Sequence, residues 1–197
     1  GVGGDTVKVF EITSSDVTLQ KLTITLDAAP LNHDGLVHTL SGLSNISILD
    51  NEIYVDPQAG TMDTWWARAL YADSNTQNLL VSRNTMYNTR TGVVMRYGSD
   101  GSFTDNVIYN TKGGIMNYTN SLEDVDGRVI TGNSWNNVHN EWDIVWNSGG
   151  GPYVQDIQKN VIKLSAANNG AYVVNQVPTE YTTPKQLLFG SRSHIFV

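Results

Sequence analysis

Two adjacent tryptophans, Trp65 and Trp66, are well suited to gripping a sugar, because an indole presents a large apolar face to a pyranose ring. They end a stretch from about Val55 to Trp66 that includes Asp56-Pro57-Gln58-Ala59-Gly60. A hydrophobic flap over the molecule's flank would use the same pair, so the tryptophans mark a place before they mark an activity. The run Asn120-Ser121-Leu122-Glu123-Asp124-Val125-Asp126-Gly127 sets alternating carboxylates ahead of a glycine, as part of a calcium loop does. Calcium asks for about six to eight oxygens, and the bidentate Glu of a complete loop is missing. Asp124 and Asp126 are therefore the metal candidates and calcium the one cofactor suggested, against the simpler reading of an acidic surface turn. Glu141 and Asp143 stand two apart, project the same way from a strand, and supply only one wall of the carboxylate pair that glycoside hydrolysis needs. His33 falls in the turn Asn32-His33-Asp34, and His38, His139 and His194 show no metal-ligand spacing.

Composition narrows the partners. There are 12 Lys+Arg against 19 Asp+Glu in 197 residues, a net charge of −7. A phosphate backbone needs clustered cations, so nucleic acid is not an expected partner. No apolar run approaches ~18 residues, so no helical membrane span is expected. Gly1-Val2-Gly3-Gly4 carries no charged-then-apolar leader, and the absence of cysteine leaves the redox compartment unread. Only 16% of residues are charged, while Asn, Gly, Ser and Thr abound, a balance that suits an extracellular or cell-surface β-protein.

The elements that must position these side chains follow from a repeat. An apolar residue, an Asn three positions on and an apolar residue two beyond recur as Ile48/Asn51/Ile53, Val81/Asn84/Met86, Phe103/Asn106/Ile108, Ile130/Asn133/Trp135 and Ile157/Asn160/Ile162, with a degenerate copy at Leu19/Leu22/Ile24. Successive asparagines are 33, 22, 27 and 27 residues apart, periods of the size that mean a solenoid. Apolar residues lie two apart on either side of each Asn, as in Ile46, Ile48 and then Ile53, Val55, the alternation of short strands with one face inward. A second strand signal precedes each Asn: Gly35-Leu36-Val37-His38, Ala69-Leu70-Tyr71, Gly92-Val93-Val94-Met95-Arg96, Gly114-Ile115-Met116-Asn117-Tyr118, Asp143-Ile144-Val145-Trp146-Asn147 and Gly170-Ala171-Tyr172-Val173-Val174. The connections at 88–92 and 110–114 carry the Asn and Gly of turns that need positive φ. With Val93, Ile115 and Ile144 inward, Val94, Met116 and Val145 face outward beside Arg96, Tyr118 and Asn147. Both faces of this flank are then apolar, which predicts that something covers it.

In this pattern the chain resembles the right-handed parallel β-helix proteins of the pectate-lyase-like superfamily, over about Val17 to Ile162. The resemblance implies an all-β, single-stranded right-handed solenoid of about six to seven coils, on the order of 30 Å long. It also implies an internal ladder in which Asn51, Asn84, Asn106, Asn133 and Asn160 hydrogen-bond to one another, ending where Leu22 replaces the asparagine. Residues 1–197 then form one unit with loop insertions near 55–66 and 120–127, expected to be a segment of a longer chain because no capping helix is evident at either end.

Many members of the family are polysaccharide lyases or glycoside hydrolases. In a lyase a Lys or Arg takes the proton beside a uronate carboxylate, which points to Arg68, Arg96 and Lys112, with Arg90 in a turn comparable to that of Lys112. The Asn-Thr-Asp, Asp-Asp and Gly-His-Gly set of polygalacturonases is absent. The leading expectation is therefore a secreted or surface scaffold presenting a flank that binds a polysaccharide, a neighbouring domain or another copy, with Trp65, Trp66, Arg96, Tyr118 and Asn147 as contacts. The alternatives are a lyase or hydrolase on the same flank and a structural module stacking end to end.

Overall fold

The structure is a computed structural model that describes residues 8–26, 35–56, 67–119, 129–146, 156–158, 161–164, 174–175 and 194–196. Every element among the described residues is a β-strand, and every strand pairing is parallel. One sheet stacks β2 (Thr18–Gln20), β5 (Ser44–Leu49), β8 (Gln77–Ser82), β10 (Gly101–Thr104), β12 (Val129–Thr131) and β14 (Asp156–Gln158). The other runs through β1 (Phe10–Ile12), β4 (Gly35–Thr39), β7 (Arg68–Ala72), β9 (Thr85–Met95), β11 (Val107–Thr119), β13 (Ser134–Trp146), β15 (Val161–Leu164) and β17 (His194–Phe196). To it are joined β3 (Thr23–Leu26) and β6 (Glu52–Val55) along the β9 side, and β16 (Val174–Asn175) on β13. Neighbouring strands in each sheet come from segments one repeat apart, an arrangement compatible with a β-helix solenoid.

Alternation decides which side chains fill the space between the sheets. Ile46, Ile48, Leu79, Val81 and Phe103 reach in from one sheet, and Ile53, Val55, Leu70, Met86, Val93, Met95, Ile108 and Ile115 from the other; all are fully buried or nearly so. Each such side chain contributes about 1.5–3 kcal/mol by leaving water. Parallel strands are obtained by turning the chain between sheets, and the turns carry their own chemistry. Lys21, Asp50, Arg83, Asp105 and Gly132 adopt φ of 58°, 54°, 56°, 56° and 72°, and each immediately precedes Leu22 or one of the repeat asparagines. This left-handed residue swings the chain from one sheet to the other and delivers each of the four asparagines inward, whereas Leu22 stays exposed.

The asparagines delivered there are buried and bonded to each other. Asn84 Oδ1 accepts from the backbone N–H and from Nδ2 of Asn51, both at 3.0 Å. Asn106 Oδ1 accepts the same two groups of Asn84 at 3.0 and 3.1 Å, and Asn133 Oδ1 those of Asn106 at 3.0 and 2.9 Å. The remaining donor capacity of each Nδ2 goes to a carbonyl of the inward strand: Leu19, Ile48, Val81 and Phe103 for Asn51, Asn84, Asn106 and Asn133. At Leu22, which has no amide to offer, the backbone N–H donates to Asn51 Oδ1 and closes the series. Asn160 lies outside the described residues.

The connections at 88–92 and 110–114 differ from expectation. They do not interrupt the strands: β9 and β11 run straight through them and stay paired. The positive φ sits on Asn88 and Asn110 alone, at 52° and 49°, and bends each strand without ending it. That bend is why one sheet holds two rows of strands.

Candidate functional site

The chemistry-bearing side chains that the fold gathers lie on the outer face of β4, β7 and the end of β9. On β7, Leu70 and Ala72 face the interior, so Tyr71 between them faces out. Register sets His38 of β4 and Val94 of β9 on either side of it. The turn following each strand is tied to the next: Asp73 N–H donates to Thr39 O, Arg96 N–H to Ala72 O, and Asn75 N–H to Tyr97 O. Beneath these turns Thr39 Oγ1 meets Thr76 Oγ1 at 3.0 Å, and Ser99 Oγ receives Thr76 N–H and donates to Asp73 O. This buried hydroxyl network holds Asp73 and Arg96 at fixed heights beside Tyr71.

The cluster is centred on the phenol. Arg96 Nη1 donates to Tyr71 Oη at 2.8 Å, the Arg68 guanidinium carbon lies 5.4 Å from the Tyr71 ring centroid, and His38 meets the same ring edge-on at 5.1 Å. His38 Nε2 is 4.0 Å from Asp73 Oδ2, and Arg96 also lies 5.2 Å from the Tyr97 ring. Arg68 is 4% exposed and His38 7%, whereas Tyr71, Asp73 and Arg96 are half-buried. Burial pushes the Tyr71 hydroxyl above its ordinary range, only partly offset by Arg96 and Arg68. For Arg96, burial is the strongest single influence and favours the neutral form, but Tyr71 and Asp73 outweigh it and hold the guanidinium charged. Neither group is prepared to take a proton at neutral pH. The half-buried Arg96 guanidinium and Tyr71 hydroxyl offer instead hydrogen-bond donors suited to hydroxyl or carboxylate oxygens, while the buried Arg68 adds its charge against the same ring.

The fold thus brings Arg68 and Arg96 together, and it adds Tyr71, His38, Asp73 and Tyr97, which sequence reasoning missed as site residues. The overlooked signal is the outward position of Tyr71 within Ala69-Leu70-Tyr71, opposite His38 one repeat earlier. Tyr118 follows Asn117, whose partner is Met95, so it lies level with Arg96 in the adjacent strand. Lys112 lies on β11 between Thr111 and Gly113, which pair with Thr89 and Thr91, so it is level with Arg90 and away from Arg96. Trp65, Trp66, Asn147, Asp124 and Asp126 lie outside the described residues. Among the described residues no three His, Cys, Asp or Glu side chains converge on a metal position, and no helix is long and apolar enough to cross a membrane. Val94 is fully buried although it stands apart from the interior cluster, so this outer face is indeed covered at that point.

A second outward feature is a pile of tyrosines on β6, β9 and β11. Tyr54, Tyr87 and Tyr109 stack with centroids 4.6 Å apart and planes within 6° and 8°. Their faces are spent on each other, so the flank shows ring edges and hydroxyls, a poor platform for stacking a sugar. Burial, then the Glu52 carboxylate bonded to Tyr87 Oη at 3.1 Å, drives the Tyr87 hydroxyl far above its ordinary range. This pile reads as a side-chain brace across three strands. No family model, no curated protein and no solved structure matches the chain.

Proposed function

We propose that the chain is a right-handed parallel β-helix of the pectate-lyase-like kind, with about six to seven coils and an asparagine ladder continuing to Asn160. In this reading residues 1–197 form one unit of an extracellular or cell-surface protein, and the rod is a scaffold for a glycan-binding flank. The observation that carries the reading is Arg96 bonded to the outward, half-buried Tyr71, with the buried Arg68 guanidinium against the same ring, in a chain whose net charge is −7. Cations gathered against the overall charge, with aromatic rings beside them, suit a polyhydroxylated ligand and favour one bearing carboxylates. Trp65, Trp66, Tyr118 and Asn147 remain the further contacts to test in this reading. Binding fits the site better than lyase chemistry, because Arg96 is held in its charged form and Tyr71 in its neutral one.

Calorimetric titration with neutral and uronate-containing oligosaccharides tests this. Saturable binding is expected, weakened about tenfold by Arg96→Gln, which corresponds to about 1.4 kcal/mol. Absence of binding across the panel, or the same affinity in the variant, refutes the glycan reading. Unsaturated product absorbance from uronate polymers would replace it with the lyase.

A further inference from the structure

We propose that Asn45 is an acceptor for N-linked glycosylation, modified by an oligosaccharide donated from a lipid-linked diphosphate. The proposal rests on the extracellular placement argued above. Two asparagines of the chain are followed by any residue but proline and then Ser or Thr: Asn45-Ile46-Ser47 and Asn117-Tyr118-Thr119. The fold separates them. Asn117 lies within β11, paired on both sides, level with Met95 of β9 and Ile144 of β13, in the row that carries the buried Ala72 and Met95. Asn45 is exposed at the start of β5, with φ of 58°, where the chain leaves a turn.

The hydrogen bonds at Asn45 also leave room for the linkage. Its Oδ1 accepts from Asn78 Nδ2 at 2.8 Å, and its Nδ2 donates to Asp16 Oδ1 at 2.8 Å. Asn78 is on β8 and Asp16 lies two residues before β2, and β5 lies between those two strands, so the amide relays a hydrogen bond across itself. An amide that accepts on one side and donates on the other uses the N–H anti to its carbonyl, as a peptide group does. The syn N–H is left, and that is the hydrogen an N-glycosidic bond replaces. In the transfer Nδ2 attacks the anomeric carbon, the bond from that carbon to the diphosphate oxygen breaks, and Nδ2 loses one proton. The product is a secondary amide whose anti N–H still reaches Asp16, so the sugar is added without dismantling the row. Both neighbours, Asp16 and Asn78, are themselves exposed, which leaves the glycan a path to solvent.

The test is to produce the full chain behind a secretory leader in a eukaryotic host, beside a secreted control that is fully modified at a single site. Intact mass is measured before and after peptide N-glycosidase, which leaves Asp at a released site. One glycan is expected, with the released mark at position 45. It is lost in Asn45→Gln and in Ser47→Ala, and kept in Asn117→Gln; Ser47→Ala leaves the Asp16 and Asn78 bonds in place and guards against a folding artefact. A secreted chain without glycan, or one modified at Asn117 and bare at Asn45, overturns the proposal. Because the leader is supplied, the result is independent of where the chain resides in its source, which fractionation of source cells decides separately.

Discussion

Replacing Asn84 by Asp is the sharpest probe of the buried amides, because it changes one nitrogen to oxygen and leaves the shape intact. Asn84 is 1% exposed, and its Nδ2 faces three acceptors: Ile48 O at 2.7 Å, Ser82 O at 3.1 Å and Asn106 Oδ1 at 3.1 Å. Its Oδ1, which receives Asn51, is preserved in the variant. At pH 7 the new carboxylate turns two or more donor contacts into oxygen–oxygen repulsion in a buried site. Losing the bonds and stranding the acceptors costs about 1–3 kcal/mol for each buried group, and an uncompensated buried charge puts the total at about 3–5 kcal/mol. With a urea m value of about 2 kcal/mol/M, the midpoint should fall by about 1.5–2.5 M. The sign with pH is fixed by the same geometry. The variant's carboxyl is raised in the folded state above the ~3.9 of an unfolded Asp, so the folded form binds the extra proton more tightly. The deficit against the parent should therefore be smallest below about pH 4 and grow as pH rises through the folded-state pKa. Urea denaturation followed by circular dichroism from pH 3 to pH 8 measures both. A midpoint shift under about 0.5 M at pH 7, or a deficit that does not change with pH, would show that Nδ2 does not face those carbonyls.

Three further outcomes follow from other parts of the molecule. Gly132 has φ of 72°, and a Cβ there would come within 2.1 Å of Asp105 Oδ1, while Gly42 has φ of 76° with open space around it. The Asp105 carboxylate is exposed and can turn aside, so Gly132→Ala, like Gly42→Ala, should lower stability by about 1 kcal/mol through its backbone conformation, and a loss above about 3 kcal/mol for Gly132→Ala in thermal unfolding would show that the carboxylate cannot move. Phe103 fills the centre of the interior, so Phe103→Ala should cost about 3–5 kcal/mol in the same assay, and a loss under 1 kcal/mol would contradict its placement. Asp50 accepts Arg83 Nε at 2.7 Å and Nη2 at 2.8 Å, which with Gln20 brings its carboxyl down to about 2. Its contribution to stability is thus present above about pH 3.9 and lost as pH falls towards 2; carboxyl carbon NMR should show the titration rise towards 3.9 in Arg83→Gln, and an unmoved midpoint would deny the pair in solution.

What was legible in the sequence is what the interior enforces. Ile46, Ile48, Ile53 and Val55 alternate because a parallel strand with one face in the core admits no other pattern, and a buried amide recurs because it must find its partner in the next repeat. The residue in front of each amide was not legible. Lys21 and Arg83 adopt a left-handed conformation that their types disfavour, since the strands on both sides impose the bend and the side chain points to solvent. Reading turn propensity alone put the breaks at Asn88 to Gly92 and Asn110 to Gly114, where the strands continue. Gly92 serves close approach instead: a Cβ there would sit 3.0 Å from Ile108 Cδ1 and 2.9 Å from Gly114 O.

The site was half legible for a related reason. Arg68 and Arg96 stood out, with Lys112, because a lyase of the resembling family would use a Lys or Arg, but Tyr71 and His38 looked like ordinary strand residues. Their meaning depends on register between segments one repeat apart, here 33 residues from His38 to Tyr71 and 25 from Tyr71 to Arg96. In a stacked fold, sequence-distant residues at the same height become neighbours, so a local motif search cannot find a site built across repeats. The same geometry argues for where function lies. Each asparagine of the interior row is committed to a carbonyl of the preceding repeat and to the neighbouring amides, and the tyrosine pile is committed to itself. Around Tyr71, by contrast, the outward row changes type at every strand, from Glu11 through His38 and Tyr71 to Val94, while the neighbouring row of Phe10, Val37, Leu70 and Val93 stays apolar throughout. A row free of the stacking constraint can change residue type from strand to strand, and two arginines of this acidic chain, Arg68 and Arg96, meet its Tyr71.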